Sequence, residues 1–368
     1  LSFQKKTQNS IFESKKLAAM NQPLFSDFSP STKQDWKNQV LKELKTTPYE
    51  NLVWKDIDDF EIEALYEKNA ESFDYQAFFL NDFSENNAGQ IWKNRQVIVV
   101  EDAQIANQKA LDALAKGADE ILFDIKKTLD WQTLFNGIFV EACGISFRLP
   151  SDCLDCLAFY NQKVANFSQQ ISGSIELLDG NLPDYENLKN LKTILLYSQS
   201  SKPSDQVADL LQKMYEAGEA NFSKIQFQVR LSNLYFIEIA KLRALRILSQ
   251  KILLLSESSL QNIPILAKTT IQNDEAAQKY PYNNLLSNTT QAMSALLGNS
   301  NIVEITPFNE GIGEVNDFSE RIARNISNLL REESYLDKVA DPSAGSYYIE
   351  HLTDQIAQTA WQKLQNRL

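Results

Sequence analysis

The sequence predicts an α/β protein: a (β/α)8 TIM barrel preceded by an N-terminal arm of helix and extended chain. Three observations predict it. From residue 95 onward, short apolar runs alternate with amphipathic helical patterns, the rhythm of parallel strands joined by crossovers. There are eight such runs, and residues 97–368 come close to the roughly 250 residues of a TIM barrel. No Gly-rich turn follows the first run, which makes a doubly wound open sheet the second choice.

In chain order, residues 29–45 carry a helix signal. Ser31 or Thr32 can cap it, and Trp36, Val40, Leu41 and Leu44 share one face. Thr47-Pro48-Tyr49 ends it. Residues 49–66 then set Leu52, Val53, Trp54, Ile57, Phe60, Leu65 and Tyr66 among charges, too much apolar surface for a free tail. Residues 1–66 therefore read as an arm that lies on a partner or on its own barrel. Residues 67–94 connect it to a barrel of residues 95–368.

The strand runs are Val97–Val100, Glu120–Ile125, Ile145–Leu149, Ile171–Leu178, Thr193–Tyr197, Ile225–Arg230, Ile265–Thr269 and Ile302–Thr306. The best helices between them are 103–116, 152–168, 204–218, 233–251, 283–297 and 315–332. The link 126–144 holds a short helix at best. The link 179–191, with Gly180 and Pro183, shows no helical face, so the barrel is expected to be trimmed on that side. After the last run comes a stiff turn: Pro342 fixes its own φ, and Gly345 can take a positive φ. Tyr347, Tyr348 and Ile349 are expected to be strand-like. Thr353 or Asp354 then caps a final helix whose Leu352, Ile356, Ala360 and Leu364 form an apolar stripe.

Composition narrows the function. A net charge of −12 disfavours nucleic acid and anionic membrane surfaces, while leaving room for one anionic ligand held by a few local cations. No apolar run approaches the roughly 18 residues of a membrane span, and charges interrupt the N-terminus where a signal peptide would be apolar. The three cysteines, Cys143, Cys153 and Cys156, are read as buried free thiols, which fits a cytoplasmic protein. With one histidine in the chain, a zinc site at Cys153-x-x-Cys156 lacks ligands. There is no nucleotide-cradling loop and no Gly-x-Ser-x-Gly elbow.

Barrel chemistry belongs at the C-terminal ends of strands. Those ends carry Glu101, Asp102, Asp124, Arg148 and Asp179, then Tyr197 with Ser198 and Arg230 with Ser232 and Asn233. Lys268 with Thr269 and Thr270, and Thr306 with Asn309, complete them. A metal site from Glu101, Asp102 and Asp124 stands against solvated strand ends and loop caps. His351 lies downstream of every strand and reads as a surface or cap residue, so no catalytic histidine and no metal site are expected.

Four stretches together resemble the methylmalonyl-CoA mutase family. They are Asp341-Pro342-Ser343-Ala344-Gly345-Ser346-Tyr347-Tyr348 with the helix after it, and Tyr282-Asn283-Asn284 leading to Thr289-Thr290-Gln291-Ala292-Met293. The others are the run from Asp317 to Asn325, which includes Arg321 and Arg324, and the run from Ile237 to Ala244. The resemblance is dense from Ile225 onward, thins between Arg95 and Ser201, and returns faintly near residues 32–66. A more family-like sequence begins at Met20, so residues 1–19 read as a tag, a processed remnant or a misplaced start.

The resemblance implies a barrel and an adenosylcobalamin-started carbon-skeleton rearrangement of an acyl-CoA. It also marks departures. Active members carry Tyr-His after the fifth strand, where this chain reads Tyr197-Ser198-Gln199-Ser200. After the seventh they carry His-x-Gln-Thr-Ser-Gly, where this chain reads Ala267-Lys268-Thr269-Thr270-Ile271-Gln272. The cobalt-ligating Asp-x-His-x-x-Gly motif is absent, since His351 has Ile349 two residues before it and Asp354 three after. The pattern is most like the small subunit of heterodimeric mutases. It implies propionate-type metabolism, a large catalytic subunit as partner, and adenosylcobalamin held by that partner and not by this chain. Tyr197, Ser198, Lys268, Thr269 and Asn309 are then a vestigial or alternative substrate pocket. Arg321, Arg324, Asn325, Asp341, Gly345, Tyr347 and Tyr348 are scaffold. Two rivals are a divergent acyl-CoA mutase served by a separate cobalamin chain, and a CoA-ester-binding regulatory module. An open axial channel favours the enzyme; a lumen plugged by bulky side chains favours the structural subunit.

Overall fold

A computed structural model describes residues 28–45, 48–55, 57–67, 91–260, 262–271 and 274–368. Residues 1–19 and most of the connection at 67–94 lie outside them. The described residues fall into two units, one within 1–54 and 61–67 and the other within 55–60 and 68–368.

In the first unit, α1 (Lys33–Leu44) starts at Thr32. The Thr32 hydroxyl accepts from the Asp35 amide while the Asp35 carboxylate accepts from the Thr32 amide, a reciprocal cap that satisfies two helix-end donors. No residue of α1 is buried. A 3-10 turn, Tyr49–Leu52, follows. Its Tyr49 is buried, lying edge-on to Trp36 with the Lys37 ammonium 4.1 Å from its ring centre.

The second unit is the barrel. Its strands are β1 (Lys93–Val100), β2 (Glu120–Ile125), β3 (Gly144–Leu149), β4 (Ile175–Leu177), β5 (Ile194–Tyr197), β6 (Ile225–Arg230), β7 (Ile265–Lys268) and β8 (Ile302–Glu304). Their order is β4-β3-β2-β1-β8-β7-β6-β5, with every pairing parallel. The ring closes between β4 and β5 through a single parallel bridge, Ser174 to Lys192. This is the side the sequence marks as trimmed: the link after β4 holds only a 3-10 turn, Glu186–Leu188.

The other links carry α2 (Ala103–Ala115), α3 (Trp131–Leu134), α4 (Leu154–Lys163), α5 (Pro203–Ala217), α6 (Tyr235–Leu255), α7 (Glu275–Lys279), α8 (Asn283–Leu297), α9 (Asp317–Glu332) and α10 (Tyr347–Arg367). Strand alternation sorts the side chains. Ile98, Ile121, Phe123, Ile145 and Phe147 point outward and are buried under the helices. Phe135 and Tyr160 close over them, with Phe147 and Tyr160 edge-on at 5.0 Å. Cys153 and Cys156 are buried in this layer, and all three thiols are free. Burial pushes the Cys153 and Cys143 thiols up to about 11 and Cys156 well above its usual value, so none is a thiolate at neutral pH.

Helix α6 is buried on nearly all sides, including Glu238, Lys241, Arg243 and Arg246. Each charge has an answer. Lys241 lies 2.6 Å from Glu238 and donates to Gln206, Arg246 donates to the Asn299 carbonyl and the Asn301 side chain, and Arg243 pairs with Asp341. Two of the resembling stretches thus meet in one clamp.

The final turn corrects one expectation. Gly345 does take a positive φ, of 80°. Tyr347, Tyr348 and Ile349, however, are the first turn of α10 and not a strand, and the capping position is Ser346 rather than Thr353 or Asp354. The Gly345 amide donates to Glu350, satisfying a group just ahead of the helix, and Thr353 is buried mid-helix donating to the Ile349 carbonyl. Burial of Ile349 alongside Leu352 and Ile356 overrides the strand preference of an aromatic, β-branched run. The stripe of Leu352, Ile356, Ala360 and Leu364 is buried as expected.

Candidate site at the barrel mouth

The inward faces of the strands carry charge in register. Lys268, Glu304, Arg95 and Glu120 are direct neighbours on β7, β8, β1 and β2, and their signs alternate. Alternation of opposite charges across strands is stabilising. Lys268 Nζ lies 2.7 Å from Glu304, and Arg95 Nη1 lies 3.7 Å from the same carboxylate. Arg95 Nε donates to Glu120 at 2.7 Å, and its Nη2 donates to Ser146 at 2.9 Å and Ser174 at 2.8 Å. A side chain rooted on β1 that reaches the start of β4 must cross the lumen. Gly144 on β3 leaves space for the Glu120 side chain that Arg95 holds: a Cβ there would sit 2.7 Å from Glu120 Cγ.

Two layers nearer the mouth, Asp124, Arg148 and Glu176 repeat the alternation on β2, β3 and β4. Arg148 donates to Glu176 at 2.8 Å, and Lys126 pairs with Asp124 at 2.7 Å. Above the Arg95 layer a cavity of about 560 Å3 opens, lined by Tyr197, Ser198, Gln228, Arg230 and Lys268 among others.

Three of the five pocket residues expected from the sequence, Tyr197, Ser198 and Lys268, therefore share one cavity. Thr269 and Asn309 do not line it. Thr269 is buried and clips strand ends, its hydroxyl accepting from the Thr306 amide and its carbonyl accepting from the Thr306 hydroxyl. Asn309 donates to the Glu314 carbonyl within its own loop. Asp102 caps α2 by accepting from the Ile105 amide, and Asp179 accepts from the Ser151 amide. Arg324 donates to Gln96 on β1, and Arg321 stands over the Phe318 ring. Sequence reasoning missed Arg95, Glu120, Glu176 and Glu304. Glu176 and Glu304 stand as charges inside their apolar runs, Glu120 opens its run, and Arg95 precedes the first one.

Burial alone would push the Glu120 and Glu304 carboxyls up. At Glu120 the Arg95 and Lys93 charges and hydrogen bonds from Ser146 and Arg95 outweigh it. At Glu304 the charges of Lys268, Arg95 and Arg148 and a hydrogen bond from Lys268 do so. Both carboxyls are held below the ordinary 4.5. A carboxyl depressed in the fold contributes stability above its unfolded pKa, and that stability is lost as the pH falls through the folded pKa. The urea midpoint is therefore expected to hold from neutral pH to about pH 5 and to fall below it. Glu120→Gln is expected to lower the plateau and flatten that fall.

Against this geometry, the methylmalonyl-CoA mutase family model matches residues 210–366. The methylmalonyl-CoA mutase small subunit of Porphyromonas gingivalis is 31% identical, over 94% of this chain and 64% of that protein. The chain belongs to the methylmalonyl-CoA mutase family. The methylmalonyl-CoA mutase of Rhizobium meliloti is 25% identical over 90% of this chain and 57% of its own length. The methylmalonyl-CoA mutase large subunit of P. gingivalis is 27% identical over 63% of this chain and 38% of that protein. This member of the mutase family spans less than two thirds of the length of each of these three relatives.

His351, the only histidine, lies within α10 and does not line the mouth cavity, and the described residues contain no His, Cys, Asp and Glu group arranged to hold a metal. No helix among the described residues is long and apolar enough to cross a membrane.

Proposed function

We propose that this chain is the small, non-catalytic subunit of an adenosylcobalamin-dependent methylmalonyl-CoA mutase. The large subunit carries the cofactor and interconverts succinyl-CoA and methylmalonyl-CoA; this chain supplies a barrel and an arm that hold it. The observation that carries the reading is the Arg95 network across the lumen. An acyl thioester running along the axis would have to displace Arg95 from Glu120 and Glu304. Stranding buried carboxylates in that way costs several kcal/mol. Lys268, in the stretch where active relatives carry His-x-Gln-Thr-Ser-Gly, is itself bound into the same network.

The test is expression of this chain alone and together with a large subunit. The pair is expected to co-purify and to show mutase activity with adenosylcobalamin, and this chain alone to show none. Full activity from this chain alone would defeat the reading.

A further inference from the structure

We propose that the mouth cavity binds a small oxyanion, a carboxylate or a phosphate, between Arg230 and Lys268. The two cations are register neighbours on β6 and β7, and both line the cavity. Like charges side by side on adjacent strands repel. Lys268 is answered by Glu304, but the Arg230 side chain has no partner among the described residues. The lining's other cations, Arg95 and Arg148, are each answered by carboxylates. Arg230 is thus the one cation of this lining without a carboxylate partner among the described residues.

Other donors sit beside it. Gln228, one layer inward on β6, lines the same cavity, and its side-chain amide has no hydrogen-bond partner among the described residues. Guanidinium, ammonium and amide together make a donor set that suits a planar carboxylate or a phosphate. The volume, about 560 Å3, is within the usual range for small-molecule pockets. The Arg95 layer closes the floor, so the occupant is short and does not enter the axis. The proposal goes beyond the partner reading and does not rest on it.

Titration calorimetry of the full chain tests it, with succinate and inorganic phosphate as separate ligands at low ionic strength. At least one is expected to give saturable heat that weakens as salt is raised. A response to succinate alone identifies an organic acid as the occupant, and a response to phosphate alone a phosphate group. Arg230→Gln is expected to weaken binding about tenfold or more. Its thermal midpoint should stay in place, because the Arg230 side chain makes no hydrogen bond or ion pair to lose among the described residues. Gln228→Leu should weaken binding in the same direction, and Arg230→Lys should keep part of it. Absence of saturable heat from both anions, or unchanged affinity in Arg230→Gln, overturns the proposal. Either result leaves the mutase activity of the pair, and hence the partner reading, to its own test.

Discussion

Arg95→Met is expected to destabilise the barrel by about 3–5 kcal/mol, the usual effect of removing one partner from a buried ion group. Arg95 is 3% exposed, and its guanidinium is shared by Glu120, Glu304, Ser146 and Ser174. Methionine fills much of the same space but leaves two buried carboxylates without this cation. Urea unfolding at neutral pH measures the loss. The pH dependence carries the diagnostic sign. In the parent the carboxyls are depressed, and stability falls in acid. In the variant a stranded carboxyl is raised above its unfolded value, so the deficit is largest at neutral pH and shrinks as the pH falls. A deficit below about 1 kcal/mol, or one that ignores pH, would mean that Arg95 does not organise the lumen.

The second large effect is expected at the signature turn. Asp341→Ala removes the carboxylate that pairs with Arg243, whose side chain is fully buried on α6. About 3 kcal/mol of stability should be lost. Asp341→Asn should lose less, since an amide oxygen still accepts a hydrogen bond from the guanidinium. Because the turn leads directly into α10, amide exchange should speed up in the first turn of that helix before it does in β1 or β2. Equal exchange rates in parent and Asp341→Ala would show that the clamp does not fasten the turn.

The two effects differ in how visible they were beforehand. Asp341 and the Ile237–Ala244 run stood out as motif words, but their contact did not, since α6 and the turn are far apart in sequence. Arg95 stood in no motif. Its importance follows from register: it lies beside Glu120 and Glu304 only because β1 pairs with β2 on one side and β8 on the other. Attention to strand ends, where barrel chemistry is usually found, reached Tyr197, Ser198 and Lys268 but passed over Glu304, Arg95 and Glu120, which share a layer with Lys268. Thr269 and Asn309 show the converse limit. Both lie just beyond strand ends, yet their hydrogen bonds go to neighbouring strand and loop backbone.

By itself the sequence determined the eight strands, the six main helices and the thin side near residues 179–191. Hydrophobic period and turn residues are local properties, and they survive folding unless burial opposes them. It also determined the family, because motif words are legible without coordinates. Only the tertiary structure decided that Tyr347 begins a helix, that Arg243 meets Asp341, and that four charges from four strands meet inside the barrel. Those outcomes depend on which distant backbones become neighbours. Periodicity says that a side chain faces inward; barrel closure alone says what it faces there.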